Sequence, residues 1–172
     1  MSESLFVVSN VIVPEPVIIP TPHLSQDERG YFARTYERPT TLVANFHVAE
    51  ENESLSRKAG TIRGLHWQEP MQVKVVRVLD GDILDVCVQI QTRQVRTFRL
   101  IPASGSLFVP KGWAHGFCTC EDNTRVLYKV NQRYAPNAQM GFNPFDPKLR
   151  IEWPVSQADA IMSERDRNAP LL

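Results

Sequence analysis

Apolar and polar residues alternate with a two-residue period through much of the central chain, the mark of strands that bury one face. The clearest stretch runs from Val73 to Val88. Lys74, Val76 and Val78 share one face, Asp80-Gly81 supplies a left-handed turn, and Leu84, Val86 and Val88 resume the alternation, a pattern that predicts a hairpin. A second run from Arg125 to Val130 sets Val126, Tyr128 and Val130 against Arg125, Leu127 and Lys129, and His115, Phe117 and Thr119 share a face just before it. Helical signals are short: Thr40 to Phe46, and a C-terminal piece starting near Ser156, where Ser-Gln-Ala-Asp suits an N-cap followed by an acid in the first turn. Thirteen prolines against eight glycines also disfavour long helices. Short, evenly spaced strands with proline and glycine at the corners predict a mostly β protein closed into a barrel or a double-sheet jelly roll, because closure protects strand edges.

The 172 residues, with no internal repeat, linker or compositional step, fit a single domain spanning 1–172. Hydrophobic residues at 42% and charged residues at 22% are an ordinary globular mix that excludes a disordered or fibrous chain. Nineteen basic residues balance nineteen acidic ones, so the strong positive field that duplex nucleic acid demands is missing and nucleic acid is not expected as a partner. Apolar runs such as Val17 to Ile19 fall far short of the roughly 20 residues that span a bilayer, so no membrane partner is expected. The start, MSESLFVVSN, has no basic segment before an apolar core, so the expectation is a soluble cytoplasmic protein. Cys87, Cys118 and Cys120 are odd in number, and Cys118-Thr119-Cys120 has the wrong spacing for a zinc knuckle or a thioredoxin-type pair; they read as reduced, buried thiols.

Candidate chemistry begins with four histidines, His23, His47, His66 and His115. No HxH, HxxxH or HExxH spacing occurs, so a metal site would need scattered ligands and none is expected. Metal-free proton chemistry needs a base, a group that orients it, an acid on the opposite side, and a cation where negative charge develops. GTIRGLHWQEP supplies two such groups, Arg63 for an anion and His66 for proton transfer, and Lys74 follows on a strand whose face is otherwise apolar. That lysine either snorkels outward or points its ammonium into a cavity. On pattern alone Tyr128 reads as packing, Asp166 as a solvated acid in a charged terminal stretch, and Arg63 as a turn cap or the partner of a surface acid.

Together these segments resemble the nucleotide-sugar epimerases typified by dTDP-4-dehydrorhamnose 3,5-epimerase. The resemblance rests on DERGYFAR (Asp27 to Arg34), NESLSRKAGTIRGLHWQ (Asn52 to Gln68), QVKVVRVLDGDILDV (Gln72 to Val86), PKGWAHGF (Pro110 to Phe117), LYKVNQRYAP (Leu127 to Pro136) and the closing SERDRNAPLL, in that order and spacing. It implies a cupin jelly-roll barrel (a double-stranded β-helix) with a few short helices, a homodimer, and no metal or organic cofactor. It implies that His66 is the base, Asp166 its orienter, Tyr128 the acid and Lys74 the lysine that serves the enolate oxygen. For the nucleotide diphosphate it implies Arg29, Arg63, His115 and Arg165, with Asn52 in the N-x-S-x-S motif. Tyr134 falls where a ring stacks on the base, and Phe32 is a second base contact.

Several positions depart from the family pattern. Glu50 stands where a glutamine is common, Arg34 where many members have glutamate, Gln139 replaces a base-contacting glutamate, and Arg165 replaces a lysine beside the final aspartate. The loop between His66 and Lys74 is two residues short, and VQIQTRQVRTFRL replaces a longer segment. The expected activity is metal-independent epimerisation of a nucleotide-linked 4-keto-6-deoxy sugar at C3, C5 or both. Restriction to C3, a non-catalytic nucleotide-sugar-binding cupin, and a related 3,4-ketoisomerase are the alternatives.

Overall fold

The structure is a computed structural model that describes residues 5–8, 11–20, 23–36 and 46–172. The chain opens with a hairpin of β1 (Leu5–Val8) and β2 (Val11–Pro14), then β3 (Val17–Ile19), then a second hairpin of β4 (His23–Asp27) and β5 (Gly30–Arg34). The body follows as β6 (Glu50–Ser56), β7 (Ile62–Gln68), β8 (Lys74–Asp80), β9 (Ile83–Gln89) and β10 (Val95–Leu100). It continues through β11 (Ser106–Val109), β12 (Trp113–Thr119), β13 (Thr124–Val130) and β14 (Gln139–Gly141), and ends with one helical turn, α1 (Glu164–Arg167).

The body strands form two five-stranded antiparallel sheets, β10-β9-β12-β7-β14 and β3-β11-β8-β13-β6. Val76, Val78, Leu107 and Val126 from the second sheet pack on Ile83, Cys87, Trp113 and Phe117 from the first, so the inner faces share one core. Each valine, leucine, isoleucine or phenylalanine among them contributes about 1.5–3 kcal/mol when fully buried. Two facing antiparallel sheets joined by crossing connections make a jelly roll, the cupin-like architecture expected from the sequence. Among the described residues, no helix is long and apolar enough to cross a membrane.

The run from Val73 to Val88 departs from the hairpin expectation. Its two halves are β8 and β9, which belong to different sheets, and Gly81 at φ 85° turns the chain across the gap instead of folding one strand onto the other. Alternation reports which face is buried, not which strand lies alongside. Val86 and Val88 also face away from the shared core, into a second one built with Leu65, Ala114, Phe142 and Leu149. The C-terminal stretch thus covers the outer face of the first sheet, which explains why all seven residues of β12 are buried.

The helical expectations differ as well. The segment Thr40 to Phe46 lies outside the described residues except for Phe46, which is buried and not helical. At Ser156 the chain makes only a turn, in which Asp159 N–H donates to Ser156 Oγ at 3.3 Å. Ile161 then bridges Thr61, so the segment is drawn onto the sheet before a helix can extend. The C-terminal helix is α1, capped by Ser163 Oγ, which accepts from Asp166 N–H.

One irregularity matters for the site. In the β7–β12 pair His115 lies opposite His66, but Phe117 lies opposite Arg63, so Gly64 and Leu65 together face the single residue Gly116. The backbones meet closely there: a Cβ on Gly116 would lie 2.7 Å from Arg63 O and 2.8 Å from Gly64 Cα. Gly116→Ala is expected to lower stability by about 1–3 kcal/mol. The change is read from the urea or thermal midpoint, and an unmoved midpoint would mean that the two strands separate without cost.

Candidate active site

Between the sheets lies a cavity of about 450 Å³. Its walls carry Arg63, His66 and Gln68 from β7, His115 from β12, Asn52 and Ser54 from β6, Lys74 from β8 and Tyr128 from β13. Tyr134, Gln139, Arg165 and Asp166 complete it from the C-terminal third. Lys74 therefore lines the interior and does not snorkel outward.

The bulge in β7 is what turns Arg63 and His66, three residues apart, into the same space; an unbroken strand would send them to opposite faces. Among the described residues Arg63 neither caps a turn nor pairs with an acid. Its Nε donates to Ser56 Oγ and one terminal nitrogen to Leu55 O, both at 3.2 Å, so β6 steadies its guanidinium. His66 Nε2 meets Asp166 Oδ1 at 2.6 Å. A carboxylate accepts, so the network assigns the imidazole proton to Nε2 and leaves the lone pair on Nδ1.

Asp166 is buried, at 5% exposure, and not the solvated acid its surroundings in the chain suggest. Burial pushes its carboxyl upward. The His66 hydrogen bond and charge, the Gly64 N–H and the Ser163 hydroxyl outweigh that and hold it below the usual carboxylate range. It is therefore ionised at neutral pH.

Tyr128 and Lys74 project from the opposite sheet. Tyr128 pairs with Asn52 across the ladder, and Val130, two residues on, pairs with Lys74. Burial raises the Tyr128 phenol above its ordinary value, Arg63 opposes this, and Tyr134 and Glu50 reinforce it, so the hydroxyl keeps its proton at neutral pH. Burial pushes the Lys74 ammonium down to about 8, against the opposing pull of Cys87 and Asp85. A base with its orienter on one wall and a proton-bearing phenol on the other can exchange a proton on both faces of a flat intermediate.

His115 Nε2 meets Asp85 Oδ2 at 2.8 Å, and Asp85 is fully buried. Asp85 was not among the residues expected from the sequence; its one local sign is an acid set within the apolar run Ile83 to Val88. It faces inward beside Cys87, whose Sγ lies 3.8 Å from its other oxygen. The cysteines are free, with Cys87 and Cys118 buried and Cys120 partly so. Ser54 also escaped sequence reasoning, although its buried Oγ has no hydrogen-bond partner among the described residues and its side chain lines the cavity.

Toward the mouth, Arg165 donates to Gln139 Oε1 at 2.9 Å and to Gln139 O at 2.8 Å, and the Tyr134 hydroxyl donates to the same Oε1 at 2.8 Å. Glu50 does not line the cavity. Its carboxylate accepts the Tyr134 N–H at 3.1 Å. Arg29, Phe32 and Arg34 also lie outside the cavity, because they belong to the β4–β5 hairpin, whose strands pair with each other and with neither body sheet. Arg29 is bound to Asp27 at 2.6 Å, and Phe32 is 67% exposed.

The family profile described as dTDP-4-dehydrorhamnose 3,5-epimerase matches residues 13–172. The dTDP-4-dehydrorhamnose 3,5-epimerase of Methanothermobacter thermautotrophicus is 35% identical, over 98% of this chain and 94% of that protein. The crystal structure of the Bacillus anthracis enzyme of the same name, with TDP and PPi bound, superposes with a TM-score of 0.82 at 35% identity, covering 99% of this chain and 100% of that one. A 3'-monoepimerase from Streptomyces bikiniensis in complex with dTDP-quinovose gives a TM-score of 0.81 at 26% identity, over 92% and 84% of the two chains. Sequence and fold therefore agree along nearly the whole length, and this chain belongs to the dTDP-4-dehydrorhamnose 3,5-epimerase family.

Proposed function

We propose that the protein is a nucleotide-sugar epimerase that inverts C3, C5 or both in a dTDP-linked 4-keto-6-deoxy sugar. The observation that carries this reading is the placing of His66, hydrogen-bonded to Asp166 of α1, on one sheet and Tyr128 on the other, in one cavity with Lys74. His66 takes a proton from the carbon beside the ketone, and the electron pair of that C–H bond moves into the carbonyl to give an enolate. The Lys74 ammonium offsets the charge on the enolate oxygen. Asp166 stabilises the imidazolium. Tyr128 then delivers its proton to the opposite face of the same carbon, which inverts the centre without redox change.

Arg63 and Arg165 supply the cationic groups that a diphosphate requires, and arginine suits it because its planar fork donates paired hydrogen bonds. His115, oriented by Asp85 on the first sheet, and Asn52, beside Tyr128 on the second, add polar contacts from the two walls. Tyr134, 55% exposed at the mouth, offers its ring to the base beside Gln139. The active form is a homodimer, in which the β4–β5 hairpin of a second copy brings Arg29, Phe32 and Arg34 to the site. The exposed Tyr31 and Phe32 rings of that hairpin support this reading. A monomeric mass in solution at assay concentration would remove it.

Deuterium incorporation from heavy water into the dTDP-linked 4-keto-6-deoxy sugar, followed by mass spectrometry, tests the mechanism and counts the exchanging carbons, two for a 3,5-epimerase and one for a 3-epimerase. His66→Asn should lower uptake by about 10²–10⁴-fold while dTDP still binds. Tyr128→Phe should retain exchange and lose inversion. Undiminished uptake in the first variant, or equal loss of both steps in the second, overturns the assignments.

Lys74 sets a pH limit. Its charge is present below its pKa and lost above it, so kcat/KM should fall as pH rises through about 8. A profile level across that region would show that the ammonium is not required.

A further inference from the structure

The loop that carries Tyr134 is held from outside itself by an amide on the strand that carries His66. Gln68 lies two residues after His66 on β7, and its side chain is 2% exposed. Its Nε2 donates to Arg133 O at 2.9 Å, and its Oε1 accepts from Ala135 N–H at 3.1 Å. Both ends of one amide are thus spent on the residues immediately before and after Tyr134. Glu50 Oε2 takes the N–H of Tyr134 itself, so the two consecutive peptide units that flank Tyr134 are pinned by two side chains.

We infer that Gln68 is a positioning residue for nucleotide binding: it clamps the 133–135 backbone so that the Tyr134 ring is set over the cavity mouth at a fixed distance from His66. This rests on the proposed reading of Tyr134 as the base contact. The physical argument is one of preorganisation. A loop with few regular contacts must be ordered when ligand binds, and that entropy is subtracted from affinity unless the free protein has already met it. Here the clamping amide sits on β7, which is paired on both sides by β12 and β14, so the chemical end and the binding end of the site share one support. Residues two apart on a strand lie roughly 6.6 Å apart. The Gln68 amide therefore ties the loop within one side-chain length of the base.

The test is Gln68→Met, which keeps the length and removes both hydrogen bonds, combined with Tyr134→Ala in a double-mutant cycle. Binding of dTDP is measured by titration calorimetry, and KM and kcat are measured with the dTDP-linked 4-keto-6-deoxy sugar. Losing the clamp should weaken dTDP binding and raise KM by about tenfold with kcat nearly unchanged. In the Tyr134→Ala background the same substitution should add nothing further, because its effect passes through the ring.

Full additivity of the two substitutions would show Gln68 acting on ligand directly, and a fall in kcat alone would show general damage; either overturns the inference. If Tyr134→Ala leaves dTDP affinity unchanged, the base-contact reading fails, and the inference fails with it. If Tyr134→Ala weakens binding and Gln68→Met does not, only the clamp fails. Should Gln68→Met not fold, Gln68→Glu, which keeps the acceptor for Ala135 N–H and loses the donor to Arg133 O, is measured in the same cycle and judged by the same outcomes.

Discussion

The hydrogen bond between His66 Nε2 and Asp166 Oδ1, 2.6 Å long, joins groups a hundred positions apart in the chain, and the cavity takes its chemical character from it. Its formation requires the C-terminal stretch to wrap the outer face of the first sheet. Phe142 and Leu149 anchor that stretch in the outer core, and the Trp153 indole fixes it by donating to Pro144 O at 2.8 Å. The Ser163 cap then starts the single turn that delivers Asp166. A buried carboxylate is costly unless donors surround it. Here His66, the Gly64 N–H and the Ser163 hydroxyl meet that need, so the packing of an apolar surface and the ionisation of Asp166 depend on one another.

The jelly roll contributes a separation. Facing sheets pack about 10 Å apart, a gap that, where side chains are short or drawn aside, admits a sugar ring between groups from either wall. In this chain one wall offers histidines and the other a phenol and an ammonium. The bulge opposite Gly116 is the local device that brings Arg63 onto the histidine wall. The interior is polar at this end and apolar at the other, where Val76, Val78, Leu107 and Trp113 supply the burial that offsets the enclosed charges.

Departures from the family pattern take on a physical sense in three dimensions. Glu50 introduces a negative charge where the family commonly has glutamine, yet its carboxylate is engaged with the Tyr134 backbone. Gln139 has an oxygen that accepts from both Arg165 and Tyr134, so glutamine and arginine at these positions form one unit at the cavity mouth.

Much of this was legible in the chain. Two-residue alternation identified the buried faces of β8, β12 and β13, the corner at Gly81, and the mostly β class, because side-chain direction in a strand is a local property. Motif order identified the family and proposed His66, Lys74, Tyr128 and Asp166 as one set. The partners of each strand were not legible: β8 and β9 read as a hairpin and lie in opposite sheets, since alternation carries no information about what lies alongside. Nor did pattern alone distinguish Asp166 from a solvated acid, or mark Asp85 and Gln68; the distant partners of these three lie 30 to 102 residues away. Sequence determined which residues turn inward; only the closing of two sheets and the wrapping of the C-terminal stretch decided which of them meet, because hydrogen bonds and burial depend on distances that local geometry does not set.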